Sequence, residues 1–105
     1  MKNMFDIMKQ AQQLQSRMQS LQAELETAEV EGRAGGGLVA VVMSGKGEVK
    51  KVSIDPSLMK EDEREVLEDL IVAASADAKA KAEELAAEKM KSVTGGLALP
   101  PGLGL

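Results

Sequence analysis

The sequence predicts an α+β fold with a long N-terminal helix, a three-stranded antiparallel meander and a long C-terminal helix. Apolar residues recur every three or four positions in the first quarter of the chain, then alternate with polar ones between residues 28 and 54, where glycine clusters interrupt them. An alanine-rich segment with helical periodicity follows. We expect one domain over residues 1–92 and a Gly/Pro/Leu-rich tail over 93–105. At 105 residues the core is small, so self-association is expected to stabilise it.

The first helix is predicted over about residues 3–26. Its apolar positions form a seam with alternating spacings of three and four, made of Met4, Ile7, Ala11, Leu14, Met18, Leu21, Leu25 and Ala28. This spacing is that of a heptad repeat, and the helix would be roughly 36 Å long. The seam could pack on its own domain or form an intermolecular coil, and the pattern leaves both open.

Three strands are predicted next. The stretch "AEVEGRA", residues 28–34, alternates small or apolar residues with charged ones, as half-exposed edge strands do. The stretch "LVAVVMS", residues 38–44, is apolar at successive positions, so we expect it to be buried on both faces. A short glycine turn leads into "EVKKVSI", residues 48–54. Strands joined by such short turns form an antiparallel meander.

The second helix is predicted to begin at Asp55-Pro56, because proline is tolerated in a first helical turn, and to run to about residue 92. Eight of the fifteen residues 73–87 are alanine, which favours a helix. Its apolar stripe thins toward the C-terminus, so we expect the far half to extend beyond the core. Gly95-Gly96 would end it, and the Pro-Pro tail cannot continue it.

The composition argues against an enzyme. The chain has no Cys and no His, which excludes disulfides, thiolate or imidazole metal sites and Ser-His-Asp catalysis. The acidic residues between 61 and 69 alternate with the apolar stripe, as on a solvated helix face. We therefore predict no catalytic residues, no metal and no cofactor. The N-terminus lacks the apolar core of a signal peptide and no run approaches a membrane span, so we expect a cytoplasmic protein with no membrane contact.

The stretch "SGKGEVKKVSID", residues 44–55, carries glycines and lysines but does not match a phosphate-binding loop. Ala40 occupies the position of the first glycine of a P-loop, Gly47 the position of its Ser or Thr, and a strand rather than a helix follows. A hairpin turn explains the glycines.

The positions of the lysines are compatible with a local basic patch that contacts DNA. The net charge is -4, but residues 55–105 alone carry -5. Lys46, Lys50 and Lys51 surround the hairpin turn. Lys2 and Lys9 share a stripe of the first helix opposite the seam, with Arg17 on its flank. Phe5 is the only aromatic residue, so stacking on bases is disfavoured and contact with duplex phosphates is the remaining mode. A merely solvated surface is the alternative.

Several segments together resemble the YbaB/EbfC family of bacterial nucleoid-associated proteins: "MKQAQQLQSRMQSLQAEL", "GGGLVAVVMSGKGEVKKVSIDPSL", the acidic and then alanine-rich helix, and "GGLALPPGL". The resemblance covers essentially the whole chain. It implies a homodimer in which the sheets join two chains and the long helices project like the arms of tweezers. It also implies duplex-DNA binding with little sequence preference, at the nucleoid, with effects on nucleoid organisation and gene expression.

In the family, DNA contact is attributed to the projecting helices, which here nominates Lys2, Lys9, Arg17, Lys89 and Lys91, with Lys46, Lys50 and Lys51 as a supporting patch. The apolar central strand nominates Leu38, Val39, Val41 and Met43 for the dimer interface. The alternative is an adaptor in recombination or replication with weak or no DNA binding. In that hypothesis, the seam of the first helix and the tail "LALPPGLGL" bind a protein partner.

Overall fold

The computed structural model describes residues 3–94 and has the predicted α+β architecture. Its elements are α1 (Met4–Thr27), β1 (Glu29–Ala34), β2 (Val39–Ser44), β3 (Val49–Ile54) and α2 (Arg64–Thr94), with short 3-10 turns at Gly35–Gly37, Pro56–Leu58 and Glu61–Glu63. The molecule is elongated, with principal extents of 72 × 26 × 15 Å. The small sheet lies toward one end, and the two helices extend away from it.

Helix α1 begins one residue after the predicted start because Asn3 caps it. The Asn3 Oδ1 accepts a hydrogen bond from the backbone N–H of Asp6 at 2.9 Å, which satisfies one of the N–H groups left free in a first turn. The extended conformation of Ala28 ends the helix and leads directly into β1.

The three strands form one antiparallel sheet in the order β1-β2-β3. Gly32 pairs with Val41 on one side of the central strand, and Val52 pairs with Val41 on the other. A bulge opposite Val42 and Met43 places Lys50 outside the regular register. At the β2–β3 turn Gly47 has φ 87°, a conformation that favours glycine.

The core lies between one face of the sheet and α2. Val39, Val41, Ala74 and Ala78 each have no exposed surface. The helix lies so close to β1 that a Cβ atom at Gly32 would overlap the backbone of Ala74 and Ala78. The alanines of α2 therefore have a packing role as well as a helix propensity, because only small side chains allow this approach.

The central strand differs from the prediction of burial on both faces. Val39, Val41 and Met43 are buried against α2, whereas Ala40 and Val42 point to the opposite face and are only half-buried. No helix of the described residues covers that face, which also carries Glu31, Arg33 and Lys51.

The second helix starts later than predicted. Asp55 does cap a turn beginning at Pro56, since its Oδ2 accepts from the N–H of Ser57 at 3.0 Å, but that turn ends at Leu58. The chain then becomes extended at Lys60 before the turn that leads into α2 at Arg64. Leu58 is 4 % exposed within the core, so the interruption serves to insert this side chain beneath the sheet.

The far half of α2 packs against α1 rather than standing alone. Ala82 is the last buried residue on α2, and Leu85, Ala86 and Lys89 beyond it are half-buried. Leu21 and Leu25 of α1 are 2 % and 6 % exposed. The two helices run antiparallel here, because Lys81 of α2 reaches Glu31 just beyond the end of α1, and Lys89, farther along α2, reaches Glu24.

Candidate nucleic-acid interface

The hairpin lysines hold the C-terminal end of α1. The Lys46 Nζ forms an ion pair with Glu26 Oε1 at 2.9 Å, and the Lys50 Nζ donates to the backbone carbonyl of Glu26 at 3.2 Å. The Lys46 ammonium, through its hydrogen bond and its charge, lowers the pKa of the Glu26 carboxyl. Two of the three hairpin lysines are therefore engaged within the protein.

Gly45 completes this attachment. Its N–H donates to the carbonyls of Leu25 at 2.8 Å and Ala28 at 3.1 Å. A Cβ at Gly45 would come within 2.8 Å of the Leu25 side chain. The last carbonyls of a helix lack partners inside it, and here the hairpin supplies them. The glycines and lysines of "SGKGEVKKVSID" thus act largely as a cap on α1, a role that the sequence pattern did not indicate.

Side chains from α2 cover the outer edge of β1. The Asp77 Oδ2 accepts from the N–H of Arg33 at 3.0 Å, and the Lys81 Nζ donates to the carbonyl of Glu31 at 2.9 Å. The Arg33 N–H and then the Lys81 ammonium lower the pKa of the Asp77 carboxyl. The i,i+4 spacing of Asp77 and Lys81 was the only sequence signal for this contact. It closes the edge of β1 to further strand pairing.

The outer edge of β3 has no such cover among the described residues. Helix α2 packs on β1 and β2 and leaves the β3 part of the same face open. Val49 is 56 % exposed and Val52 42 % exposed there. The sheet thus has one protected edge and one open, apolar edge.

The residues predicted for the dimer interface do not lie on this open edge of β3. Val39, Val41 and Met43 are in the core of the protomer, beneath α2, and Leu38 is half-buried beside it. A single chain does not test the dimer, so their part in an interface stays a prediction. In the protomer they support the sheet from within, and the exposed apolar residues nearest to them are those of β3.

The end of the molecule away from the sheet, which we call the arm end, consists of residues 4–18 of α1 and 85–94 of α2. An open groove of about 780 Å³ lies between the two helices. Three of the predicted DNA-binding cations, Arg17, Lys89 and Lys91, line this groove together with Glu24 and Glu88. The fold therefore brings together cations that lie far apart in the sequence, on two different helices.

Two of the predicted cations in α1 are available for a ligand. Lys9 and Arg17 are exposed and form no ion pair within residues 3–94. Lys89 is only loosely paired, with 3.5 Å between its Nζ and Glu24 Oε2. Phe5 is 73 % exposed one helical turn before Lys9. Lys51 is also exposed and unpaired within the described residues, but it lies on the open face of the sheet.

Charge is separated along the molecule. Residues 55–69 carry seven acidic and two basic side chains, whereas the arm end carries four basic and two acidic ones. The acidic cluster and Lys89 are about 30 Å apart along α2. The Debye length at physiological ionic strength is about 8 Å, so the acidic cluster is screened from a ligand at the arm end. The net charge of -4 therefore does not describe the field at the candidate site.

Some predictions fall outside the described residues. These are Lys2 and the tail from residue 95 onward. Within residues 3–94, no group of three acidic side chains is placed to hold a metal ion, and neither described helix is long and apolar enough to cross a membrane. The acidic residues 61–69 lie at the start of α2 and are mostly exposed, where only Arg64 and Glu68 approach each other, at 3.9 Å.

Comparison with known proteins identifies the fold and the family. A crystal structure of an uncharacterized protein from Helicobacter pylori superimposes with a TM-score of 0.74 over 93 % of this chain and 100 % of that chain, at 19 % identity, which establishes a shared fold. The sequence profile of the YbaB/EbfC DNA-binding family matches residues 1–97. The chain belongs to the YbaB/EbfC family.

Similar members of the YbaB/EbfC family match over the full length. A nucleoid-associated protein of Rhodopseudomonas palustris (strain TIE-1) is 64 % identical over 105 residues, covering 100 % of this chain and 99 % of that protein. A nucleoid-associated protein of Nitrobacter hamburgensis is 62 % identical, with the same coverage of both chains. One of Methylocella silvestris is 53 % identical, covering 100 % of this chain and 98 % of that protein. The resemblance inferred from the sequence motifs is thereby confirmed.

Proposed function

We propose that this protein is a non-enzymatic, cytoplasmic nucleoid-associated protein that binds duplex DNA through its phosphates at the arm end. Membership of a DNA-binding family and the names of its relatives support the function. The observation that carries the site is the convergence of Arg17, Lys89 and Lys91 on one groove. Lys9, opposite the seam of α1, is exposed and forms no ion pair within the part of the chain that the structure describes. Lysine and arginine contacts to phosphates fix position without reading bases, so little sequence preference is expected.

The hairpin has a lesser part in this proposal. Lys46 and Lys50 are committed to Glu26, and using them for DNA would detach the end of α1. Lys51 is the one hairpin lysine whose contacts within the described residues leave it available. The hairpin therefore positions the arm, and the helical cations contact the duplex.

A double variant at the arm end tests the site. Fluorescence anisotropy with an unrelated-sequence duplex is measured at about 50 mM and about 150 mM salt, because counterion release makes binding through phosphates fall steeply with salt. The variant Lys9→Ala/Arg17→Ala should weaken binding by about tenfold or more at the lower salt. It should also reduce the slope of log affinity against log salt by about 0.9 for each phosphate that is no longer neutralised.

The control is Lys60→Ala/Arg64→Ala, which removes the same charge from the acidic end. Both of these side chains are exposed, so the fold should be kept in each variant, as circular dichroism would verify. Equal weakening by the two variants would mean that only net charge matters and that the arm end is not the site. Absence of binding by the unaltered protein at low salt would remove the DNA function itself.

The proposed assembly is a homodimer joined through the open edge and uncovered face of β3. Val49 and Val52 are exposed apolar residues on one side of this strand, and one sheet edge is already closed by α2. Val49→Asp/Val52→Asp should give monomers in sedimentation velocity. Lys51→Asp, on the opposite face of the same strand, should leave the dimer intact. A monomeric unaltered protein at micromolar concentration would contradict the proposal.

A further inference from the structure

The N-terminal half of α1 exposes an apolar seam that no described residue covers. Exposure rises steadily along it, from 2 % at Leu21 to 37 % at Leu14, 56 % at Ile7 and 77 % at Met4. Soluble proteins rarely leave a contiguous apolar patch of this kind open. The seam loses its cover toward the end of α2, where Ser92 and Val93 line the same groove as Ser16 and Arg17.

The chain beyond α2 leaves at this same place. Because the two helices are antiparallel, α2 points toward the N-terminus of α1 when it ends at Thr94. Residues 95–105, "GGLALPPGLGL", contain only glycine, alanine, leucine and proline. They carry no charged side chain, so their composition matches an apolar surface and offers nothing to phosphates. We propose that this tail binds the exposed seam of α1 in its own chain.

The lengths agree with this assignment. Ile7 is ten residues from Arg17, or about 15 Å along the helix. Leu99 is five residues beyond Thr94, and five residues span up to about 17 Å. In an extended chain alternate side chains share a side, so Leu97 and Leu99 would both face the seam. Gly96, Ala98 and Pro100 would occupy the other side.

Tethering favours the tail over a separate partner or a second copy of the chain. A segment joined to its binding site by a short linker has an effective concentration in the millimolar range. A free partner reaches that concentration only if it is abundant. The adaptor hypothesis assigned the seam and the tail to an outside protein, and here they bind each other. Lys9 lies opposite the seam, so the bound tail leaves it exposed for DNA.

Engineered cysteine pairs test the contact, since the chain has no natural cysteine. The pair Ile7→Cys/Leu99→Cys should oxidise to a disulfide within one chain at least tenfold faster than Gln12→Cys/Leu99→Cys. Gln12 is exposed, lies on the opposite side of α1 and is nearer to the end of α2, so an unbound tail would reach it just as readily. Equal rates would overturn the proposal.

Mixing heavy-isotope and ordinary chains before oxidation separates the remaining outcomes. Mass spectrometry should find Ile7→Cys/Leu99→Cys disulfides within single chains. Mostly mixed-isotope disulfides joining these two positions would mean that the tail binds a second copy. Mixed-isotope disulfides joining position 7 of one chain to position 7 of another would mean that seams pair with each other. Either result overturns the proposal.

A fluorescence measurement gives an independent reading. The variant Leu99→Trp introduces the only tryptophan, and the chain has no tyrosine. Its emission should lie at shorter wavelength than that of a free peptide of residues 95–105 with the same substitution. Adding Ile7→Gln/Leu14→Gln should shift it to the wavelength of the peptide, whereas adding Gln12→Glu should not. Emission that is insensitive to the seam substitutions would contradict binding there.

Discussion

The sheet end and the arm end of this molecule are built in opposite ways. At the sheet end, α2 approaches β1 most closely where Ala74 and Ala78 meet Gly32, and Val39 and Val41 have no exposed surface. At the arm end, residues 4–18 of α1 include exposed methionine, isoleucine and leucine side chains, and Lys9 and Arg17 form no ion pair within residues 3–94. The same α2 takes part in both, and its acidic beginning and basic end match the two environments.

This difference indicates which end supplies stability and which supplies contacts. Close packing at the sheet end means that small changes of volume should be costly there. The arm end has few packed neighbours, so substitutions should be tolerated by the fold and should act on binding instead. The net charge of the whole chain reflects neither end, because the acidic cluster at residues 55–69 lies more than a Debye length from the cations of the arm end.

The largest effect is expected from Gly32→Ala at the sheet end. A single added Cβ overlaps the backbone of Ala74 and Ala78, so the free energy of unfolding should fall by about 3 kcal/mol or more, as in overpacked cores. Strand propensity alone predicts that this substitution would raise the free energy of unfolding. Urea denaturation measures the change in this free energy. Gly36→Asn is the control, because Gly36 has open space and a φ of 69° that asparagine tolerates, and equal losses would refute the close-packing account.

An intermediate effect compares two positions of the same helix. Leu21→Ala removes a side chain that is 2 % exposed, and it should lower the free energy of unfolding by about 3 kcal/mol. Ile7→Ala removes one that is 56 % exposed and should cost about 1 kcal/mol or less. Thermal denaturation of both variants would show it. Similar losses at the two positions would mean that the arm is as tightly packed as the sheet end.

The smallest effect concerns the pH dependence of the contact between α2 and β1. The Asp77 pKa is lowered in the folded state from an ordinary value of 3.8. Its stabilising contribution is therefore present above that value and is lost as the pH falls through the lower folded pKa. The Tm of Asp77→Asn should lie slightly below that of the unaltered protein at pH 7, and the two should converge at strongly acidic pH. A difference in Tm that stays constant from pH 7 to strongly acidic pH would exclude the Asp77 carboxylate as the source of the difference.

Much of the fold could be predicted from sequence periodicity. The heptad spacing placed α1 to within a residue at each end, and the glycine turns placed the three strands. The start of α2 could not be placed, because the core position of Leu58 decides it and no local signal reports that. Burial of β2 was overstated, since a run such as "LVAVVMS" looks the same whether one face or both are covered.

Less of the candidate site than of the fold could be predicted from the sequence. The sequence nominated cations of α1 because their helical spacing places Lys9 opposite the seam, and their role in DNA binding stays a prediction. Their convergence with Lys89 and Lys91 depends on the antiparallel approach of two helices distant in sequence, which no local pattern encodes. The hairpin lysines looked like a ligand patch because a cluster of charge reads the same whether its partner is a phosphate or, as for Lys46, the carboxylate of Glu26.

The hairpin caps one end of the long helix α1, so a small change of angle at the cap moves the other end by a large distance. Gly45 and Lys50 fix the orientation of its last turn, and the helix extends about 35 Å from there to Met4. A tilt of about 10° at the cap would displace the far end by about 6 Å, the width of a minor groove of DNA. In the proposed dimer, the gap between two such arms would therefore depend on these hydrogen bonds at the hairpin as well as on the contact between α1 and α2.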